Sequence, residues 1–133
     1  MKTPFAIGDQ KKFVHTVTEN DLARFASGTV HAVYSTFAIA RDAEWSGRLF
    51  VLEMKEDDEE GIGTGISITH HAPALLDQEI CFTATLSAIE KHEVTTQFEA
   101  HEGVRLIASG TQTQKIIKKE KLDRLFQTIA SDD

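Results

Sequence analysis

Ser35-Thr36-Phe37-Ala38-Ile39-Ala40-Arg41-Asp42-Ala43-Glu44-Trp45-Ser46-Gly47-Arg48-Leu49-Phe50-Val51-Leu52-Glu53-Met54 is the stretch on which the fold turns. Its apolar residues are too dense for a surface helix. Phe37, Ala38, Ile39, Ala40, Ala43, Trp45, Leu49, Phe50, Val51 and Leu52 leave only a narrow polar stripe. A helix that is apolar nearly all round belongs in a core. At about 18 residues it runs ~27 Å, the width of a small domain. Ser35 or Thr36 suits its N-cap. Beyond it, Lys55 to Glu60 (KEDDEE) reads as a solvated loop, ended by a glycine-rich turn at Gly61-Ile62-Gly63-Thr64-Gly65.

After that loop the hydrophobic period changes from helical to two. Gly65 to His70 is strand-like. Ile80, Phe82, Ala84, Leu86 and Ala88 alternate with Cys81, Thr83, Thr85 and Ser87. Val94, Thr96, Phe98 and Ala100 repeat the pattern up to a turn at Glu102-Gly103, and Arg105 to Ile117 forms another long strand. Leu122, Leu125, Phe126 and Ile129 then recur at helical spacing within Lys118 to Ala130. On the N-terminal side, Lys11 to Val17 reads as a strand. Thr18 caps a short helix with Asp21 in its first turn, stopped at Ser27-Gly28. Strands joined by short turns pair antiparallel. One antiparallel sheet wrapped around one long apolar helix is an α+β architecture, the hotdog arrangement.

The chain has 133 residues, which suits one domain, residues 1–133, large enough to bury a core without staples. Its formal charge is −7, a poor match to nucleic acid, whose phosphates demand a basic surface. Hydrophobic residues at 41% and charged residues at 26% describe a globule rather than a disordered chain. No apolar run approaches the ~20 residues that cross a bilayer. The first residues lack a signal-peptide apolar core, and the single cysteine, Cys81, excludes an internal disulfide and a multi-thiolate metal site. The expected compartment is the cytoplasm, with no membrane and no nucleic acid among the partners.

Two clusters hold polar groups where the surroundings are apolar. Glu44 lies mid-helix between Ala43 and Trp45, where an uncompensated carboxylate is costly. It either serves chemistry or pairs with Arg41 or Arg48 at helical spacing. Asp42, with no partner suggested, is the more exposed of the two acids. Thr36 precedes Glu44 by eight residues, ~12 Å of rise, so both can border one cleft. In Thr69-His70-His71 the two imidazoles point to opposite faces of a strand, which rules out a paired metal site there. His15, His31, His92 and His101 have no partner suggested by spacing. Gly61, Gly63 and Gly65 fail as a dinucleotide fingerprint, because a strand rather than a helix follows. They suit a tight turn, or a backbone N–H brought close to a ligand oxygen. HExxH, Walker A, GxSxG and Cys-x-x-Cys are all absent from the sequence. Lys115, Lys118, Lys119 and Lys121 form a positive patch suited to ligand phosphates, or simply a solvated helix start.

Gly63-Thr64-Gly65-Ile66-Ser67-Ile68-Thr69-His70 with Ala72-Pro73, Val33-Tyr34-Ser35-Thr36, Glu44-Trp45 and Ala108-Ser109-Gly110-Thr111 keep a consistent mutual spacing. Together they resemble the fluoroacetyl-CoA thioesterase family of hotdog proteins, from about Val30 to Lys115. The resemblance implies Thr36, Glu44 and His70 as catalytic residues. It implies Gly63 as the residue whose backbone N–H meets the thioester oxygen. It also implies a homodimer with the acyl-CoA site between subunits, and no cofactor or metal. Whether dimers pair further into tetramers stays open. The fluoroacetyl-specific member has a phenylalanine gate where this chain has Val30, and an arginine where it has Gln114. The expectation is therefore a short or medium acyl-CoA, with Gly63, Val30, Gln114, Lys115 and Lys118 at the substrate. The alternative is a non-catalytic acyl-CoA or small-ligand binding protein of the same fold. Residues Phe5 to Ala26 also resemble MaoC-like hydratases, but no aspartate stands five residues before any histidine.

Overall fold

The computed structural model describes residues 1–132. Strand β1 (Gln10–Thr16) leads through a 3-10 turn at Glu19–Asp21 into a hairpin, β2 (Leu22–Phe25) and β3 (Gly28–Tyr34). Helix α1 (Thr36–Met54) follows, then β4 (Glu59–His70), β5 (Glu79–Glu90), β6 (Glu93–Glu102), β7 (Arg105–Lys118) and α2 (Lys119–Asp132). Five strands form one antiparallel sheet in the order β1-β5-β6-β7-β4, and α1 lies across it.

Alternation along the strands builds the core. Phe82 on β5 pairs with Phe13 on β1 and Ala100 on β6, and Phe82 and Phe98 are fully or almost fully buried. One apolar cluster gathers Val17, Tyr34, Ile39, Phe82, Phe98 and Ile107 under the first half of α1. A second gathers Phe50, Val51, Met54, Leu86, Val94 and Ile116 under the other half. Between them the helix comes close to the sheet at Gly47. A Cβ there would lie 1.7 Å from Gln112 Nε2. Gln112 and Gln114 are themselves buried. The Gln114 amide donates to Gln112 Oε1 at 2.9 Å and to the Glu44 carbonyl at 3.1 Å, while Gln112 donates to Thr96. These bonds satisfy polar groups that would otherwise be costly inside a core.

Several local expectations are corrected. Thr18 does cap a helical turn, with the Asp21 carboxylate accepting from Thr18 N at 2.8 Å. The chain then leaves extended at Leu22 and pairs with β3, so no longer helix forms. Gly28, at φ +112°, is part of the hairpin turn and not a helix stop. The acidic run is not wholly loop. Glu59 and Glu60 open β4, and Glu59 is buried, accepting from Glu56 N at 2.9 Å. Gly61, Gly63 and Gly65 lie within β4. Side chains of α1 press on that strand: a Cβ at Gly61 would meet Val51 Cγ1 at 2.5 Å. The four late strands are not a simple meander. The segment 71–78 carries the chain across the sheet, so β5 pairs with β1 and β6 while β4 pairs with β7 at the edge. Helix α1 also keeps an open stripe, with Phe37 50% and Trp45 41% exposed and Glu44 beside them. No helix among the described residues is long and apolar enough to cross a membrane.

Candidate active site

Ser35 caps α1, its side chain accepting from Ala38 N, and this places Thr36 as the first helical residue. Thr36 Oγ1 lies 3.0 Å from His70 Nδ1 at the end of β4. The other imidazole nitrogen, His70 Nε2, is buried and has no hydrogen-bond partner among the described residues. Most buried polar atoms are paired, so this one stands out as a candidate to meet a ligand. His71 points to the opposite face and meets Ser109 Oγ at 2.7 Å. A cleft of about 280 Å³ opens over His70, His71, Ala72 and Pro73.

Glu44 projects from the open stripe of α1 onto β4. Its Oε1 would stand only 2.2 Å from a Cβ at Gly63, so the missing side chain makes room for the carboxylate. No ion pair reaches Glu44 among the described residues. Arg48 is taken by Glu60 at 2.7 Å, and Arg41 by Asp21 and Asp42. The strand is irregular here: a register shift between Gly63 and Gly65 leaves Thr64 outside the ladder with β7. β4 is also the sheet edge, so part of its backbone N–H and C=O groups has no partner strand. Gly63→Ala is expected to displace the carboxylate while sparing stability, because the clash meets the tip of a flexible side chain. Thermal unfolding within a few degrees of the parent, with kcat reduced about tenfold or more, is the expected pair of results.

The structure thus joins Thr36 to His70 and Glu44 to Gly63, but it keeps the two pairs apart. Eight residues of α1, ~12 Å of rise, separate Thr36 from Glu44. Val30 is 54% exposed on the outer hairpin. Gln114 is buried beneath Glu44 and is spent on the core, not on the cleft. Lys115 is exposed between buried Gln114 and buried Ile116, so it points away from α1. It borders a groove of about 630 Å³ with Lys91, His92 and Lys121 on the far face. Lys118 donates to Asp58 at 2.9 Å, an ion pair that also holds the exposed Asp58 carboxyl below its usual range.

The sequence model of the FlK family, described as fluoroacetyl-CoA-specific thioesterase, matches residues 17–120. The chain belongs to that family. The fluoroacetyl-CoA thioesterase of Streptantibioticus cattleyicolor is 30% identical over 91 residues, 68% of this chain and 66% of that protein. The match therefore spans about two thirds of the relative's length. The crystal structure of a Thermus thermophilus hypothetical protein, a thioesterase superfamily member, superposes with a TM-score of 0.93 at 32% identity. That superposition covers 97% of this chain and 96% of the other. The fluoroacetyl-CoA thioesterase FlK superposes with a TM-score of 0.87 at 23% identity, over 95% and 98% of the two chains, and shows the shared hotdog fold. Members of this family are thioester hydrolases, and no Asp-x4-His pair of the hydratase kind occurs in this one.

A further polar cluster of this thioesterase-family chain, which residue spacing does not reveal, joins β1, the 3-10 turn, β3 and α1. His15 Nε2 donates to Asp21 Oδ2 at 2.7 Å, Arg41 donates to Asp21 at 2.7 Å and to Asp42 at 2.9 Å, and the Tyr34 hydroxyl donates to Asp42. Asp42 is buried rather than exposed, the reverse of the expectation. The three acceptor and donor groups of His15, Asp21 and Asp42 stand close enough to hold a cation, and the Arg41 guanidinium fills that position. Burial disfavours the charged form of Asp21. The bonds from Thr18, Arg41 and His15 more than offset it and hold the carboxyl well below its usual range. Burial, then Asp42, pushes the Tyr34 hydroxyl far up, so it stays a donor. A carboxylate with a lowered folded pKa contributes stability above its unfolded value of about 3.9, lost as pH falls through the folded one. Asp21→Asn is expected to cost on the order of 2–3 kcal/mol at pH 7. Urea unfolding of the variant should also show a shallower loss of stability below about pH 4 than the parent.

Proposed function

We propose that the protein hydrolyses a short or medium acyl-CoA thioester to the free acid and CoA. The observation that carries this reading is the unpaired Glu44 carboxylate seated on Gly63, on the same helix as a Thr36–His70 pair whose outer nitrogen is unsatisfied. As the thioester carbon turns tetrahedral, its oxygen gains charge. The Gly63 N–H is the donor we assign to it, a contribution of ~3 kcal/mol for one well-placed donor. Glu44 acts as general base toward water, or attacks the carbonyl to form an anhydride that water then cleaves. Thr36 holds the imidazole, and His70 delivers a proton to the departing thiolate. Val30, in place of the gate phenylalanine, fits an acyl group not limited to fluoroacetyl.

The separation of the two pairs within one chain supports a homodimer whose site takes Thr36 and His70 from one protomer and the partner's Glu44. The long free edge of β4 and the open stripe of α1 offer the surface for it. Mixing inactive Thr36→Ala and Glu44→Gln dimers, with subunit exchange, is then expected to restore activity to about a quarter of the parent's, because one site in each heterodimer escapes both changes. Activity that stays at the level of the variants places all three residues in one chain.

The test of the activity itself is a panel of acyl-CoA esters from acetyl upward, with release of free thiol followed colorimetrically. Turnover of one of them, abolished in Glu44→Gln, is the expected result. Saturable binding of a CoA ester without thiol release identifies the non-catalytic binding protein instead.

A further inference from the structure

Thr36 owes its place to a junction where strand β3 ends and helix α1 begins, and that junction is tied down from below. The Ser35 N–H donates to the Asp21 carbonyl at 2.8 Å, and the Tyr34 N–H to the Ala74 carbonyl at 2.9 Å. The Asp21 side chain holds Arg41 and His15, and Arg41 passes the connection to Asp42, which accepts the Tyr34 hydroxyl. The His15 ring lies over Tyr34 with centroids 5.8 Å apart. β1, the 3-10 turn, β3 and α1 thus meet in one ionic set, with Asp21, Tyr34 and Asp42 nearly inaccessible and the exposed Arg41 closing it from the solvent side.

This tie encloses the β2–β3 hairpin. Residues 22–34 leave the body just after Asp21 and return at Tyr34. Between those points most of their side chains are exposed, Phe25 and Val30 among them. The hairpin's contacts with the body are few: Phe25 meets Phe37 of α1 edge-on and Val33 bridges Leu75, so the ionic set adds to a sparse anchorage where β3 re-enters. Burying two carboxylates is costly, and the best-attested return of such buried charge is the choice of one arrangement over others. Tyr34 is two residues before Thr36, and Asp42 is on the same helix less than two turns after it.

We infer that Asp42 and Asp21, through Tyr34 and Arg41, are positioning residues that hold Thr36 within reach of His70. The inference rests on the reading that Thr36 and His70 serve the thioester reaction. Asp42 touches no part of the cleft; it acts on the register of the β3–α1 junction. A shift of about 1 Å at a reacting group can cost about 100-fold in rate.

The test uses the full chain with Asp42→Asn, and with Tyr34→Phe as the milder variant that removes one hydroxyl. Expected is a fall in kcat of about 10- to 100-fold with KM within about twofold, and no further fall when either change is added to Thr36→Ala. Nitrogen-15 NMR of the imidazoles gives a readout independent of activity. The His70 Nδ1 resonance should move in both variants toward its position in Thr36→Ala. Losses that multiply with Thr36→Ala, or a His70 resonance unmoved in folded Tyr34→Phe, overturn the inference. If Thr36→Ala itself leaves turnover intact, the catalytic reading of Thr36 falls, and the NMR comparison alone then decides the positioning role.

Discussion

Glu44→Gln is expected to lower kcat toward the best acyl-CoA by about 100- to 10,000-fold, the range for loss of a positioned general base or nucleophile. KM should stay within a few-fold, because the amide keeps the size of the group and its seat on Gly63. Stability should hardly change. Glu44 is exposed and has no ion pair among the described residues to lose. Steady-state thiol release and a thermal melt on the same preparation check all three points. A variant with normal kcat would remove Glu44 from the reaction and return it to the surface of α1 as an ordinary solvated acid.

Gly110→Ala is expected to be strongly destabilising. Gly110 sits in β7 between Phe98 of β6 and Ile68 of β4. A Cβ there would come 1.8 Å from the Ser67 carbonyl oxygen and 3.0 Å from Phe98 Cε1. The obstacle is backbone, so relief requires β4 to part from β7. Overpacking of this kind costs about 3 kcal/mol. The melting temperature should fall by on the order of 10 °C. Gly65→Ala is the matched control. Its Cβ meets only the Thr113 hydroxyl, at 3.1 Å, and the loss should be small. The affected edge is also the one proposed to meet a partner, so dimer dissociation measured by sedimentation should accompany the lower melt.

How much of this was legible beforehand depends on which physical signal each element carries. Helix α1 announced itself through apolar density, and β5 to β7 through alternation, because one face of each meets the core. β4 carries no clean alternation. As an edge strand exposed over much of both faces it is under little pressure to alternate, and its first residues hide inside a run of acids. The β2–β3 hairpin was missed because Thr18 and Asp21 give the same capping signal to a single turn as to a full helix. Glu44 stood out as a carboxylate in an apolar helix, but the roles of Glu44, Gly63 and His70 came from a family resemblance, not from periodicity. The burial of Asp42 was within reach. It lies four residues after Ala38, three after Ile39 and four before Ser46, all buried, so helical phase alone turns it inward and Glu44 outward. The His15–Asp21–Asp42 set was not readable from spacing, since its members come from three elements joined only by folding.

The amide ladder under α1 constrains how this chain can change. Gln112, Gln114, Thr96 and Gly47 interlock: the glutamines fill the space that Gly47 leaves, and each amide is bonded to the next or to the helix backbone. An arginine introduced at 114 would bring a longer, charged group into a slot shaped for an amide, and would strand Gln112 as well. Gln114→Arg alone is therefore expected to unfold the chain at a lower temperature, and a compensating change at Gln112, Thr96 or Gly47 to recover part of the loss, so that position 114 does not vary independently of the helix it supports.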